Sequence, residues 1–295
     1  MAVMDYVTPG ISKIDFEDSL FVLTEVGRDN TKEVQAEIES RGGVVKGSVT
    51  GSTNYLIYGD GEEETAKYKK ALELISGKGL EINVLPLRLF FAACRGEGMI
   101  EFGSYPFEED GTRRAIKWTV LKREENKALL LSAYDLDAKR YNEEREEVTW
   151  ETCTLRKWLN EEFINTAFGA EEQQRIITTK VENTDDPNFK TPGGNDTEDK
   201  VFLLSIAEAE KYMPTDFERK TAPTPFAKKE GACTNNGSCW WWLRSPGRNP
   251  FNAAYVHYFG NIIDRGIDVN RGNGVSIDYG AVCPALWFEL GSGIE

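Results

Sequence analysis

The chain has 295 residues, with 49 acidic against 35 basic side chains and a formal net charge of -14. That field argues against a protein that coats nucleic acid through general positive charge, though a local basic pocket remains compatible with it. With 40% hydrophobic and 11% aromatic residues the chain can bury a substantial core, which excludes a disordered chain.

A single histidine, His257, argues against a His-rich metal site or a Ser-His-Asp triad. Cys94, Cys153, Cys233, Cys239 and Cys283 are scattered and form no CxxC pair, as in a reduced intracellular protein. The first residues carry no basic stretch followed by an apolar core, and no run of about 18 apolar residues occurs anywhere. The expectation is a cytoplasmic protein with no membrane segment, no cofactor and no bound metal, two domains, and a tail over residues 1–11.

In chain order, the apolar run Leu20–Glu25 predicts a buried strand. A helix follows, capped by Asn30 or Thr31, with Val34 and Ile38 on its inner face and Gly42–Gly43 stopping it. "VVKGSV" and "TNYLIYGD" read as strands, "EETAKYKKALELISGKG" as a second helix ended by glycine, and "LEINVLPLRLFFAAC" as a strand and a short helix. The order βαββαβα gives an α/β sandwich.

Gly96 and Gly98 then mark a short linker. Beyond it, "MIEFGSYPF" and "AIKWTVLKREENKALLLSAY" predict strands, the second a hairpin turning at "REENK". "TLRKWLNEEFINTAF" predicts an amphipathic helix with Leu155, Leu159, Phe163 and Ala167 on one face. "VENTDDPNFKTPGGNDTED" reads as a solvated acidic loop. "DKVFLLSIAEAEKYM" reads as an apolar strand entering a helix capped by Ser205 and Glu208. Of Trp240, Trp241 and Trp242, strand alternation requires at least one to face the core.

Arg248–Tyr279 alternates like a β-meander, yet contains no Lys, Glu, Gln, Met or Trp. Its apolar and glycine positions (Val256, Gly260, Ile262, Gly266, Val269, Gly274 and Val275) read as a frame, with Trp242, Leu243, Arg244 and Pro284–Trp287 beside it. The positions between are Arg248, Asn249, Phe251, Asn252, Tyr255, His257, Tyr258 and Phe259, then Asn261, Asp264, Arg265, Asp268, Asn270, Arg271 and Asn273. Aromatic, Arg and Asn side chains gathered on one face are paratope chemistry: rigid contact area with adaptable hydrogen bonds.

Two family resemblances rest on these stretches. The glycine pair, "SVTGSTNYLI" and "AKYKKA" make residues 12–95 resemble the BRCT family, a parallel sheet flanked by helices. The resemblance implies a docking or dimerisation module, and it places a phosphate-binding hydroxyl and amine at Thr24 and Lys67. Glu25 departs from the glycine that usually follows the hydroxyl, and its carboxylate would repel a phosphate. "IEFGSYPF", "IKWTVL", "ALLLSAYDLD", "TLRKWLNEEFINTAF", "WWLRSPG" and "PALWF" make residues 99–290 resemble the C-type-lectin-like variable proteins of bacterial and phage diversity-generating retroelements, an α+β fold. Cys283 departs from the arginine usual before Pro-Ala-Leu.

That resemblance implies a variable segment over 248–279, in which adenines of AAC or AAT codons are rewritten. Such codons yield Asn, Asp, His, Tyr, Ser and Arg but never Lys, Glu, Gln, Met or Trp. The expected function is non-enzymatic binding of a protein or surface ligand through residues 248–273. The alternatives are a formylglycine-generating type of enzyme using Cys233 and Cys239, and an adaptor for phosphorylated DNA or peptide through the BRCT-like part.

Overall fold

The computed structural model describes residues 14–59, 65–96, 98–235, 237–270 and 279–290. The N-terminal half runs β1 (Leu20–Thr24), α1 (Arg28–Ser40), β2 (Val44–Lys46), β3 (Tyr55–Tyr58), α2 (Ala66–Lys78), β4 (Asn83–Pro86) and α3 (Leu87–Cys94). The strands form a parallel sheet in the order β2-β1-β3-β4.

Strand alternation builds its layers. Phe21, Leu23, Tyr55 and Ile57 pack with Val34 and Ile38 of α1 and with Phe90 and Phe91 of α3. Val22 and Leu56 point the other way, onto Ala71 and Leu74 of α2. The helix α1 starts at Gly27 rather than with an Asn30 or Thr31 cap; the Thr31 hydroxyl instead donates to the Gly27 carbonyl at 2.7 Å. Gly43 is required by packing, since a Cβ there would sit 2.7 Å from Ile38 and 2.8 Å from Phe21.

The C-terminal half is mostly antiparallel. It contains β5 (Met99–Pro106), β6 (Arg113–Glu124), β7 (Lys127–Ser132), β8 (Asp137–Lys139), β9 (Ile176–Ile177), β10 (Thr179–Val181) and β11 (Thr197–Asp199). Then come β12 (Thr234–Asn235), β13 (Ser238–Cys239), β14 (Trp241–Pro246), β15 (Asn252–Val256), β16 (Ile262–Asp268), β17 (Gly280–Val282) and β18 (Ala285–Glu289). Two five-stranded sheets result, β5-β6-β7-β18-β9 and β16-β15-β14-β17-β8, with two small hairpins.

The predicted amphipathic helix forms as α4 (Thr154–Trp158), a π-helical turn (Leu159–Phe163) and α5 (Ile164–Ala167). Its four face residues are all buried. After α6 (Ala170–Arg175), α7 (Ile206–Tyr212) begins at Ser205 with the expected reciprocal cap to Glu208. Last comes α8 (Pro225–Lys229). The apolar run before α7 is not the strand its composition predicts. Val201–Leu204 are buried on every side and make only an isolated bridge, Phe202 to Ala285.

The two halves share one packed interface across the short connection at residues 96–98. Ala92 of α3 joins the C-terminal core, while Phe217 joins the N-terminal one, edge-on to Phe90 and Phe91 at 6.1 and 5.4 Å. Arg95, at the junction, is buried and donates to the carbonyls of Lys220, Ser132 and Ala133. Lys220 pairs with Glu33, and Arg41 with Glu218 at 3.3 Å. No helix among the described residues is long and apolar enough to cross a membrane.

Candidate binding surface and phosphate site

β15 and β16 form a hairpin whose tip spans His257–Asn261. The His257 amide donates to the Asn261 carbonyl at 2.9 Å and the Gly260 amide to the His257 carbonyl at 2.7 Å. Gly260 takes a φ of 90, and a Cβ there would collide with the Asp216 backbone. Arg219, itself buried, donates to the Gly260 carbonyl at 2.8 Å and to that of Met213 at 2.6 Å, so the tip is anchored from below.

The hairpin divides in part: of its predicted frame, Val256, Gly260 and Val269 are buried but Ile262 and Gly266 only half-buried. Ala253, Ala254, Val256 and Val269 are buried, whereas Arg248, Phe259 and Arg265 are exposed. Asn249, Phe251, Asn252, Tyr255, His257, Tyr258, Asn261, Asp264 and Asp268 are half-buried. An aromatic run crosses the face. Trp240 meets Tyr255 at 5.3 Å, His257 lies over Tyr258 at 3.8 Å, and Phe259, 52% exposed, meets Tyr258 at 4.5 Å. Desolvation lowers the His257 pKa below the ordinary imidazole value.

Several of these side chains also hold the fold, which residue type alone did not reveal. The Asn249 carboxamide accepts from the Phe251 amide at 2.9 Å and shapes the turn. Asp268 accepts from Arg145 at 2.7 Å, and Asp264 from Asn188 at 2.8 Å, tying β16 to two other loops. Asn270 departs from the expected exposure. It is 7% exposed and its amide donates to the Glu143 carbonyl, a backbone contact that sequence pattern does not encode. Arg271, Asn273, Gly274 and Val275 lie outside the described residues.

Beside the hairpin, Trp242, Leu243, Arg244 and Pro284–Leu286 are buried, while Trp287 is half-buried. All three tryptophans are buried; Trp241 donates to the Arg219 carbonyl and Trp242 to that of Lys139. Arg244 pairs with Glu208 and donates to the Leu203 and Glu182 carbonyls. Cys283 sits buried 3.3 Å from the Ser132 hydroxyl, and burial pushes its thiol up to about 12. Cys233 is exposed and Cys239 buried. Among the described residues, no group of three or more His, Cys, Asp or Glu is placed to hold a metal.

Thr24 and Lys67 come together at the carboxyl end of β1. The Lys67 ammonium donates to the Leu23 carbonyl at 2.8 Å, and the buried Thr24 hydroxyl donates to that of Thr65 at 3.2 Å. Thr65 caps α2 by accepting from the Tyr68 amide, so it joins the site as a member that sequence reasoning missed; a threonine just ahead of a helix is its only local signal. Glu25 is exposed and has a φ of 48, the left-handed conformation a glycine adopts without strain. The backbone therefore retains the glycine geometry while the side chain brings a carboxylate to the rim.

Two family models match. Residues 12–76 match the BRCA1 C Terminus (BRCT) domain, and residues 125–290 match DUF6273, a domain of unknown function. A DNA ligase of Acanthamoeba polyphaga mimivirus is 42% identical over 72 residues, covering 23% of this chain. The match spans only 11% of the ligase's own length. No solved structure matches. With a parallel βαβ-type sheet over the first match and more than half of the sequence within the second, the chain belongs to the DUF6273 family and carries a BRCT domain at its N-terminal end.

Proposed function

We propose that the protein is a non-enzymatic binding protein in which the β15–β16 face meets a protein or surface ligand and the BRCT domain docks or dimerises. The observation that carries this reading is the division of residues 248–270: small and aliphatic side chains inward, with Tyr, His, Phe, Arg and Asn clustered outward around an exposed Phe259. Aromatic and Arg side chains in such a cluster are typical binding anchors. In this reading the C-terminal domain, whose division from the BRCT domain falls at residues 96–98, is lectin-like. A retroelement rewrites its outward positions, which accounts for the missing Lys, Glu, Gln, Met and Trp. The protein acts in the cytoplasm or is carried on a phage particle.

Gene sequencing tests it. Outward positions should carry codons reachable from AAC or AAT by adenine changes alone, and flanking DNA should hold a near-repeat with adenines at those positions beside a reverse transcriptase gene. Purine-ending codons at several outward positions would sink the diversification.

A second reading is supported by the convergence of Thr24, Thr65 and Lys67, which offers hydroxyls and an ammonium to a phosphate. Here the BRCT domain is an adaptor for phosphorylated DNA or peptide. Its α1–α3 side is covered by the C-terminal half, so a partner would use this end, or the α2 side where Leu72 is exposed. At low salt, 5′-phosphorylated DNA should bind more tightly than unphosphorylated DNA and lose the difference on Lys67→Ala. Equal binding of both DNAs removes this reading.

A further inference from the structure

A groove of about 370 Å³ lies at the root of the β15–β16 hairpin. Three segments line it: residues 147–152, the loop at Pro192 and Gly194, and Pro250 just before β15. All three lie wholly within the described residues. Hydrogen bonds tie them together. The Val148 amide donates to the Pro250 carbonyl at 3.1 Å, and the Asn195 side chain donates to the Glu151 carboxylate at 3.0 Å. Gly194 takes a φ of 88, and a Cβ there would sit 2.7 Å from the Thr149 hydroxyl, so this loop lies directly against residue 149. The groove is therefore built before any partner arrives.

Its lining combines apolar surface with negative charge. Val148, Pro192 and Pro250 supply the apolar part, and Glu147 and Glu151 are the charged groups. Among the described residues neither carboxylate pairs with a cation: Glu151 accepts only from the neutral Asn195, and Glu147 is exposed. Arg145, nearby in sequence, is engaged elsewhere, on Asp268 at 2.7 Å and over the Phe251 ring at 5.3 Å.

These groups narrow the occupant. A neutral apolar ligand would strip water from two carboxylates without replacing it. An anion would be repelled. A metal ion would want more ligands than two carboxylates, and no group of three metal-ligating side chains occurs among the described residues. An arginine side chain satisfies both parts, because its stem is apolar and its fork of N–H groups suits carboxylates.

We propose that this groove anchors an arginine side chain presented on an extended segment of a protein partner. Glu147 and Glu151 receive the guanidinium, and Val148, Pro192 and Pro250 cover the stem. None of the lining residues is among the outward positions of the hairpin. The anchor is thus a fixed feature beside that face, and it stands whether or not the face itself binds.

The test is a titration of the full chain at low salt with a short Gly/Ser peptide carrying one central arginine, followed through backbone amide resonances. Binding should saturate with a Kd of about 1 mM or tighter, and the amides of Thr149, Gly194 and Asn195 should shift. The same peptide with citrulline, which lacks the charge, should bind about tenfold more weakly. Glu147→Gln should melt like the parent and weaken arginine-peptide binding about tenfold. Glu81→Gln removes the same charge from an exposed position in the BRCT domain and should leave the affinity unchanged, which separates an anchor from the general attraction of arginine to an acidic chain. The proposal is overturned if no shift saturates, if citrulline serves as well as arginine, if Glu147→Gln keeps the parent affinity, or if Glu81→Gln weakens binding as much as Glu147→Gln. Shifts confined to the hairpin amides would also overturn it, while leaving the hairpin face as a binding surface.

Discussion

At the residue scale the clearest consequence concerns Asp135. Its carboxyl is fully buried, and both oxygens are served by the single Thr221 hydroxyl at 2.9 and 2.8 Å, while the two terminal nitrogens of Arg95 nearby donate to carbonyls. Burial pushes Asp135 up to about 7, against about 4 for an exposed carboxyl. Between those values the folded chain keeps a proton that the unfolded chain has released. This group's contribution to stability is therefore full below about pH 4 and falls as pH rises towards 7. Urea midpoints of the parent and Asp135→Asn, compared from pH 4.5 to 8, should show a pH slope in the parent that the variant loses, on the order of a few kcal/mol across the window. Parallel slopes would mean that Asp135 is ionised throughout.

The same scale separates two kinds of candidate residue. Asn270→Ala leaves the Glu143 carbonyl without its donor and should cost about 1–3 kcal/mol in chemical denaturation. Arg248→Ala, on the exposed surface, should stay within about 0.5 kcal/mol of the parent. Residue type could not separate Asn270 from Asn261, because what distinguishes them is a carbonyl more than a hundred residues away.

At the element scale, two forces act on β16. It is the edge strand of its sheet, and Asp264, Arg265 and Asp268 are also the charges that keep an edge strand from pairing with another chain. Edge protection explains charge on β16, but not the aromatic run on β15 and the hairpin tip. Gly260→Ala tests how strictly the tip is built. With a φ of 90 and the Asp216 backbone against it, an added Cβ should destabilise by about 1–3 kcal/mol and shift the thermal midpoint down. Phe259→Ser, at an exposed tip position, should leave the midpoint nearly unchanged while weakening any partner that uses the face.

The elements show how far local pattern reaches. The 3.6-residue period foretold the inner face of α4, the π turn and α5, whereas the apolar runs of β1 and β3 showed burial but not which residue faces which helical layer. Where alternation was absent, over Val201–Leu204, composition alone suggested a strand, and burial on every side produced an extended segment with one bridge instead.

At the scale of the whole molecule, the segment through Phe217, Arg219 and Lys220 ties three regions together. Phe217 fills the BRCT core, Lys220, with a side chain only 3% exposed, pairs with Glu33 of α1, and Arg219 holds the hairpin tip. The chain should therefore unfold in one calorimetric transition. Phe217→Ala should lower stability by about 3–5 kcal/mol and separate the transition into two. Two transitions already present in the parent would mean that the halves are energetically independent.

The sequence by itself determined the βαββαβα order of the BRCT domain, the inner face of the α4–α5 helix and the Ser205–Glu208 cap. Each of these rests on periodicity, capping chemistry or motif spacing, which act over a few residues or within one motif. Only the tertiary structure decided that Arg95 is a buried clamp between the halves, that Thr65 lies with Thr24 and Lys67, that Asn270 is a fold contact, and that Arg88 and Arg114 line one cleft between the halves. Those features join groups far apart in the chain, and packing rather than local preference determines which distant groups meet.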